Sequence, residues 1–348
     1  MDIISLLNEA VDLHASDLHL TVNIPPIFRV NGLLVQKTAA VITGIDTENW
    51  AKELMSQEQF NLFIKKGEYD LSYSLAARSR FRVNIFQKYG GIALSIRVIP
   101  YKIKTLDQLG HPAIIKKLIM SHQRGLVLVT GPTGSGKTTT LAAMIDQINS
   151  QRACHILTLE DPIEFVHTHK KSMINQREIH TNTKSFKSGL RSGLREDPDV
   201  ILIGEMRDPK TIAIAITAAE TGHLVLATLH TSDASQSIDR IIDVFPANKQ
   251  QQIRMQLSMS LQGIISQQLI PRQDGSGRVA AFEILTATPA VRNLIRDGHT
   301  HQILATILDS KKHGMIDMDS SIKILYQQGH ISHEDAFLKM AYPDTLRS

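Results

Sequence analysis

Residues 126–148 read Leu126-Val127-Leu128-Val129-Thr130-Gly131-Pro132-Thr133-Gly134-Ser135-Gly136-Lys137-Thr138-Thr139-Thr140-Leu141-Ala142-Ala143-Met144-Ile145-Asp146-Gln147-Ile148. The apolar run Leu126–Val129 predicts a strand buried on both faces, as in a parallel sheet covered by helices. Thr139–Ile148 has the length and spacing of a helix. Between them, Gly131–Thr138 fits the phosphate-binding pattern Gly-x-x-x-x-Gly-Lys-Ser/Thr. Glycines there let backbone N–H groups converge on a phosphate at the positive end of the following helix. The expected nucleotide-binding residues are Thr133, Gly134, Ser135, Gly136, Lys137, Thr138 and Thr139. Lys137 would neutralise the β- and γ-phosphates, and Thr138 would offer a hydroxyl to Mg2+.

Working outward, the same short apolar runs recur at Ile156–Leu159, Val200–Ile203 and Leu224–Ala227, separated by helical stretches. That alternation predicts an α/β domain. Ligands of open α/β sheets bind beyond the C-terminal ends of the strands. Three chemical groups fall there. Glu160-Asp161-Pro162-Ile163-Glu164 follows the second run, and one of its carboxylates is suited to orienting an attacking water. Glu205 ends Val200-Ile201-Leu202-Ile203-Gly204, a Walker B element closed by glutamate in place of the commoner aspartate, and would reach the metal through water. His230 follows the fourth run, placed to hydrogen-bond the γ-phosphate or the water.

Before residue 100 the pattern differs. Ile3, Ile4, Leu7, Ala10 and Val11 are spaced as on a helix. Phe28–Val30 and Leu33–Val35 flank Asn31-Gly32 as a hairpin. Residues 46–64 return to helical spacing, Tyr69–Leu75 and Phe81–Phe86 alternate as strands, and Ile92–Ile99 follows Gly90-Gly91. The second of these strands puts Arg80, Arg82 and Asn84 on one face. The expected organisation is an α+β domain over 1–99, a connection over 100–112, the ATPase core over 113–287 and a helical segment over 288–348.

With 348 residues, 42% hydrophobic and 21% charged, the chain has the composition of a folded globular protein. The net charge of +4 is a mild basic bias, and aromatic residues make up only 5%. No Lys/Arg stripe interleaved with aromatics occurs, so no nucleic-acid partner is expected. Cys154 is the one cysteine, which rules out a disulfide framework and a multi-cysteine zinc site and favours a reducing compartment. The start Met1-Asp2-Ile3-Ile4-Ser5 lacks the marks of a signal peptide, and no apolar stretch is long enough for a spanning helix.

Several stretches resemble the secretion-superfamily hexameric ATPases, over about residues 1–340. They are Ser16–Leu20, the phosphate loop, Glu160–Phe165, Leu194–Asp199, Gly204–Asp208 and Thr221–Thr231. Within that superfamily the chain is most similar to the type IV pilus retraction branch. The resemblance implies a RecA-like P-loop motor domain preceded by a smaller PAS-like α+β domain, and a homohexamer that holds ATP between neighbours. By position, Glu164 resembles the catalytic base, Glu205 the Walker B acid, and His223 and His230 the histidine box. Arg82 and Arg97 match arginines that reach a neighbour's phosphates, while Arg195, Arg207 and Arg240 lie in motor-domain motifs. Ala290–Arg296 resembles a motif associated with retraction, with Val291 where isoleucine is usual. Arg292 and Arg296 share a helical face at i, i+4, expected to be exposed and to dock on an acidic partner.

The expected activity is Mg2+-dependent ATP hydrolysis driving pilus retraction, in the cytoplasm at the inner face of the cytoplasmic membrane. The expected partners are an inner-membrane platform protein and an accessory retraction ATPase. A secretion or extension ATPase is disfavoured by the single cysteine and compact start, because those relatives commonly carry a four-cysteine insertion and a longer N-terminal region. An accessory retraction ATPase is disfavoured by Ala290–Arg296. The lack of a basic stripe argues against a DNA translocator, and retention of Glu164 and Glu205 against a scaffold without turnover.

Overall fold

The structure is a computed structural model that describes residues 2–30, 32–36, 40–75, 78–100 and 102–347. It divides into two compact units, Met1–Lys102 with Pro162–Val166, and Ile103–Asp161 with His167–Ser348.

The first unit contains α1 (Ile3–Asp12), β1 (Asp17–Thr21), β2 (Ile27–Val30), β3 (Leu33–Gln36), α2 (Gly44–Leu54), α3 (Gln57–Lys66), β4 (Glu68–Leu75), β5 (Ser79–Lys88) and β6 (Gly91–Pro100). The strands form a six-stranded sheet in the order β3-β2-β1-β6-β5-β4, with antiparallel pairings. The expected hairpin is β2–β3. Gly32 takes φ 84° as its turn requires, while Asn31 lies outside the described residues. The helical stretch 46–64 is two helices, not one. Ser56 accepts a hydrogen bond from the Gln59 N–H while Gln59 accepts one from the Ser56 N–H, a capping box that starts a new helix at Gln57. Along β5, Phe81, Val83 and Ile85 are buried in a core with Ile3, Leu7, Leu18, Trp50 and Phe63. Arg80, Arg82 and Asn84 alternate onto the opposite face.

The second unit contains α4 (Ala113–Met120), β7 (Gly125–Thr130), α5 (Lys137–Gln151), β8 (His155–Glu160), β9 (Met173–Glu178), α6 (Phe186–Gly193), β10 (Val200–Ile203), α7 (Pro209–Glu220), β11 (Leu224–Leu229), α8 (Ala234–Asp243), α9 (Ala247–Ser260), β12 (Leu261–Pro271), β13 (Arg278–Thr286), α10 (Pro289–Asp297), α11 (Ile303–Asp309), α12 (Met318–Gln327) and α13 (His333–Lys339). The sheet order is β13-β12-β7-β11-β10-β8-β9. It is parallel from β12 to β9, with β13 antiparallel at the edge. Every residue of β7, β10 and β11 is buried. Alternate side chains serve two cores: Leu126, Leu128, Ile201, Ile203, Val225 and Ala227 pack with α6 to α11. Val127, Val129, Val200, Leu202, Leu224 and Leu226 pack with α4 and α5 on the other face. This two-sided burial is why the strands read as unbroken apolar runs.

Of the expected connection 100–112, residues from Ile103 onward group with the second unit, and Leu106, 2% exposed, joins the core that holds α4 and α5. In the C-terminal region, Ile322 of α12 and Ala336 of α13 are buried with Ile270 and Ala281 of the β12–β13 pair. No helix among the described residues is long and apolar enough to cross a membrane.

Candidate nucleotide site

β7 ends at Thr130, and the chain turns through Gly131–Gly136 into α5. Gly136 takes φ 92° immediately before the helix, and no side chain caps α5, so its first N–H groups remain for a ligand. Gly131 takes φ 143°, and a Cβ there would lie 2.3 Å from the Gln267 carbonyl oxygen and 2.6 Å from Ser135 Oγ. The loop is therefore pressed onto β12. Gln267 holds it there, donating from Nε2 to the Ser135 carbonyl at 2.7 Å and accepting from Thr140 Oγ1 at 2.7 Å. His111 Nε2 lies 2.8 Å from Thr140 Oγ1, and burial pulls the His111 pKa down to about 4, so its ring is neutral near pH 7. Arg278 Nη1 donates to the Gly134 carbonyl at 3.4 Å.

The lysine is drawn into this loop. Lys137 is 9% exposed and donates to the carbonyls of Gly131 at 2.8 Å and Pro132 at 3.0 Å. Burial lowers its pKa, against the opposing pull of Glu205. Ser135 is 3% exposed, and its Oγ has no hydrogen-bond partner among the described residues. A buried ammonium, an unpartnered hydroxyl and an uncapped helix start converge on one loop, and an anion satisfies all three. Thr133 and Gly134 are exposed, while Thr138 and Thr139 are half-buried in the first turn of α5.

Beside the loop, the ends of β10 and β11 bring Glu205 and His230 together. The Gly204 N–H donates to the Leu159 carbonyl at 2.8 Å, and Thr228 Oγ1 donates to the Gly204 carbonyl. A Cβ at Gly204 would sit 3.2 Å from that Leu159 oxygen, so glycine permits the close approach. Glu205 Oε1 lies 2.7 Å from Arg207 Nε and 3.4 Å from His230 Nε2. Burial raises the Glu205 pKa, but Arg207 and then His230 outweigh it, and the net shift is downward. Glu205 is thus held ionised. Among the described residues no group of three or more His, Cys, Asp or Glu could hold a metal ion. Mg2+ bound by phosphates, waters and one or two protein groups needs none, and Thr138 and Glu205 fit that mode.

The other expected residues lie on other elements. Glu164 is half-buried between buried Ile163 and Phe165, in the segment Pro162–Val166 that groups with the first unit. Arg82 and Arg97 are in the first unit too, directly opposite each other on β5 and β6. Arg97 in turn faces Asp17, which faces Arg29, so three arginines and one aspartate form a row across the sheet. Asp17 pairs with Arg97 at 3.1 Å and Arg29 at 3.8 Å, leaving the row net positive. His223 precedes β11 whereas His230 follows it, so a six-residue strand of roughly 20 Å separates the two. His223 Nδ1 lies 3.0 Å from the Ala218 carbonyl. Arg195 Nη1 donates to the Arg191 carbonyl at 3.2 Å, and Arg240 is exposed in the last turn of α8.

Arg292 corrects the expectation of an exposed docking pair. Its Nη1 donates to the carbonyls of Ser258 at 2.6 Å and Met259 at 2.8 Å, and its Nη2 donates to Gln262 Oε1 at 3.2 Å. Those carbonyls end α9, so Arg292 is a half-buried helix cap. Arg296 instead binds Asn293 Oδ1 at 2.8 Å and Asp297 Oδ1 at 3.2 Å at the surface of α10.

The chain is 47% identical over 346 residues to the type IV pilus retractation ATPase PilT of Pseudomonas aeruginosa, covering 99% of this chain and 100% of the relative. It is 50% identical over 311 residues to a twitching motility protein of Neisseria gonorrhoeae, covering 89% and 83%. A crystal structure of the pilus retraction motor PilT with bound ADP superposes with a TM-score of 0.92 at 44% identity, covering 100% of this chain and 99% of that one. The second unit accordingly has the RecA-like P-loop ATPase fold. The family model of the type II/IV secretion system proteins matches residues 2–335, and the chain belongs to that family.

Proposed function

We propose that the chain is an ATP-hydrolysing motor that drives type IV pilus retraction, acting as a homohexamer on an inner-membrane platform protein at the cytoplasmic face of the pilus base. An accessory retraction ATPase is a natural second partner. The observation that carries ATP binding is the phosphate loop fixed by Gln267, with the Lys137 ammonium hydrogen-bonded to two loop carbonyls. Retraction rests on the end-to-end match to a relative named for it.

On binding, the ATP phosphates replace the Gly131 and Pro132 carbonyls as acceptors for Lys137. Thr133, Gly134, Ser135, Gly136 and Thr139 line the same loop and helix start, and the Ser135 hydroxyl gains an acceptor. Thr138 and, through water, Glu205 would hold Mg2+, which would supply charge stabilisation to the phosphates. Glu164 serves as the base that orients water. His230 shares Oε1 of Glu205 with Arg207, so a shift of the Glu205 carboxylate reaches His230 and the loop into α8. The basic row of Arg82 and Arg97 supplies positive charge to a neighbour's nucleotide. Deleting the gene and measuring pilus number and retraction tests the biological role. Unchanged retraction in the deletion strain would overturn it.

A further inference from the structure

The segment that carries Glu164 leaves β8 at Glu160 and returns at His167, and one side chain of β9 holds both ends. Thr158 and Gln176 stand directly opposite each other in the parallel pairing of β8 with β9. Glu160, two residues beyond Thr158, shares its face of the sheet. Thr158, 1% exposed, donates from Oγ1 to Glu160 Oε1 at 2.6 Å, and Gln176 donates from Nε2 to the same oxygen at 3.1 Å. The other end of that amide, Gln176 Oε1, accepts from the His167 N–H at 2.8 Å. Just beyond, the wholly buried Asn149 of α5 donates from Nδ2 to the Thr168 carbonyl at 2.8 Å and accepts from the Lys170 N–H at 3.1 Å. The returning limb is thus fixed to the helix that begins in the phosphate loop, and all these anchors lie in the second unit.

Between the two anchored points lie only residues 161–166. Ile163 and Phe165 are buried, with Glu164 half-buried between them. So short a span has few conformations once its ends are fixed, and the distance from Glu160 to the His167 amide limits where Glu164 can reach. That distance matters for catalysis, because a general base must lie within hydrogen-bond reach of its water and a misplacement of about 1 Å can cost on the order of a hundredfold. Glu160 is differently committed. With two side-chain donors on one oxygen, it is built as an anchor.

We propose that Gln176 is a positioning residue for hydrolysis, stapling Glu160 to the His167 amide and so holding Glu164 at its working distance from the attacking water. This role rests on the reading of Glu164 as the base. Single-turnover phosphate release and titration calorimetry with ADP, on the assembled full-length protein, test it. Gln176→Leu slows release ~10-fold or more while ADP affinity stays within about twofold, because the phosphate loop keeps its own contacts. In a Glu164→Gln background the same change slows release by less than about twofold further, since no base is left to misplace. Gln176→Glu keeps the acceptor for His167 but sets a second carboxylate against Glu160, and it is slow as well. Adding Glu160→Gln restores a donor between the two positions and returns the rate to within about threefold of wild type. Should Gln176→Leu misfold, this exchanged pair decides alone. With Glu164→Gln slow, normal release by Gln176→Leu, losses that multiply in the double variant, or no recovery in the exchanged pair would each overturn the staple and leave the base assignment to be judged on its own. Normal release by Glu164→Gln would overturn the base assignment and the staple together.

Discussion

Lys137 is the most heavily committed side chain of the nucleotide site, with its charge resting on two loop carbonyls. Lys137→Ala removes the one cation inside the loop, and ATP turnover should fall at least about a hundredfold, measured as phosphate release. Glu205→Gln keeps the shape but loses the ionised oxygen shared with Arg207 and His230. The Mg2+ concentration for half-maximal hydrolysis should rise ~10-fold or more in a metal titration. A pH effect belongs to Glu283, whose ordinary value of 4.5 is pushed up to about 7 by burial. The folded chain therefore keeps this proton where the unfolded chain has released it, and wild-type stability is lost as pH rises between those values. Glu283→Gln should match wild type near pH 4.5 and exceed it above pH 7, by on the order of 3 kcal/mol at most, in urea denaturation at each pH. The phosphate loop was legible because its residues are contiguous and their spacing is itself the chemistry. Gln267, His111 and Arg278 were not, because they reach the loop through the pairing of β12 with β7 and through packing around α5, and no local pattern encodes that.

At the level of elements, α10 shows where pattern reading stopped. Its start was legible, with Thr288 capping the Val291 N–H, Pro289 in the first turn and Gly298 closing it. One-turn spacing placed Arg292 and Arg296 on one face but could not tell which of them met another helix. Since Arg292 closes the end of α9, Arg292→Ala should cost about 1–3 kcal/mol in denaturant unfolding, whereas Arg296→Ala should stay within about 0.5 kcal/mol. The clean probe of docking is therefore Arg296→Ala alone. It should leave ATP hydrolysis intact and slow retraction in cells, whereas retraction at normal speed would remove α10 from coupling. The parallel strands were legible for the opposite reason, since burial on both faces leaves an apolar run that depends on no distant partner. The break between α2 and α3 lay in the chemistry of Ser56 and Gln59, which apolar spacing does not weigh.

For the whole molecule, Glu164 and Arg82 both lie in the first unit while the phosphate loop lies in the second. If a hexamer shares its nucleotides between neighbours, Arg82→Ala and Glu164→Gln should each bind ATP yet hydrolyse it ~10²-fold or more slowly. If Glu164 of one subunit meets Arg82 of the next, mixed hexamers of the two should regain part of the rate, because some sites then combine both intact residues. Mixed rings without recovery would make the basic row a structural feature of its own sheet. The seat of the phosphate loop carries a consequence for synthesis. Ser135 is fixed by a side chain 132 residues further along, so the signature sequence leaves the ribosome long before the strand that shapes it. A nascent chain arrested before β12 would carry the complete motif and have no formed pocket, and ATP in the cell could not act as a folding template for it. Only after Gln267 has emerged can the nucleotide stabilise the domain, so ligand-assisted maturation of this chain waits for β12.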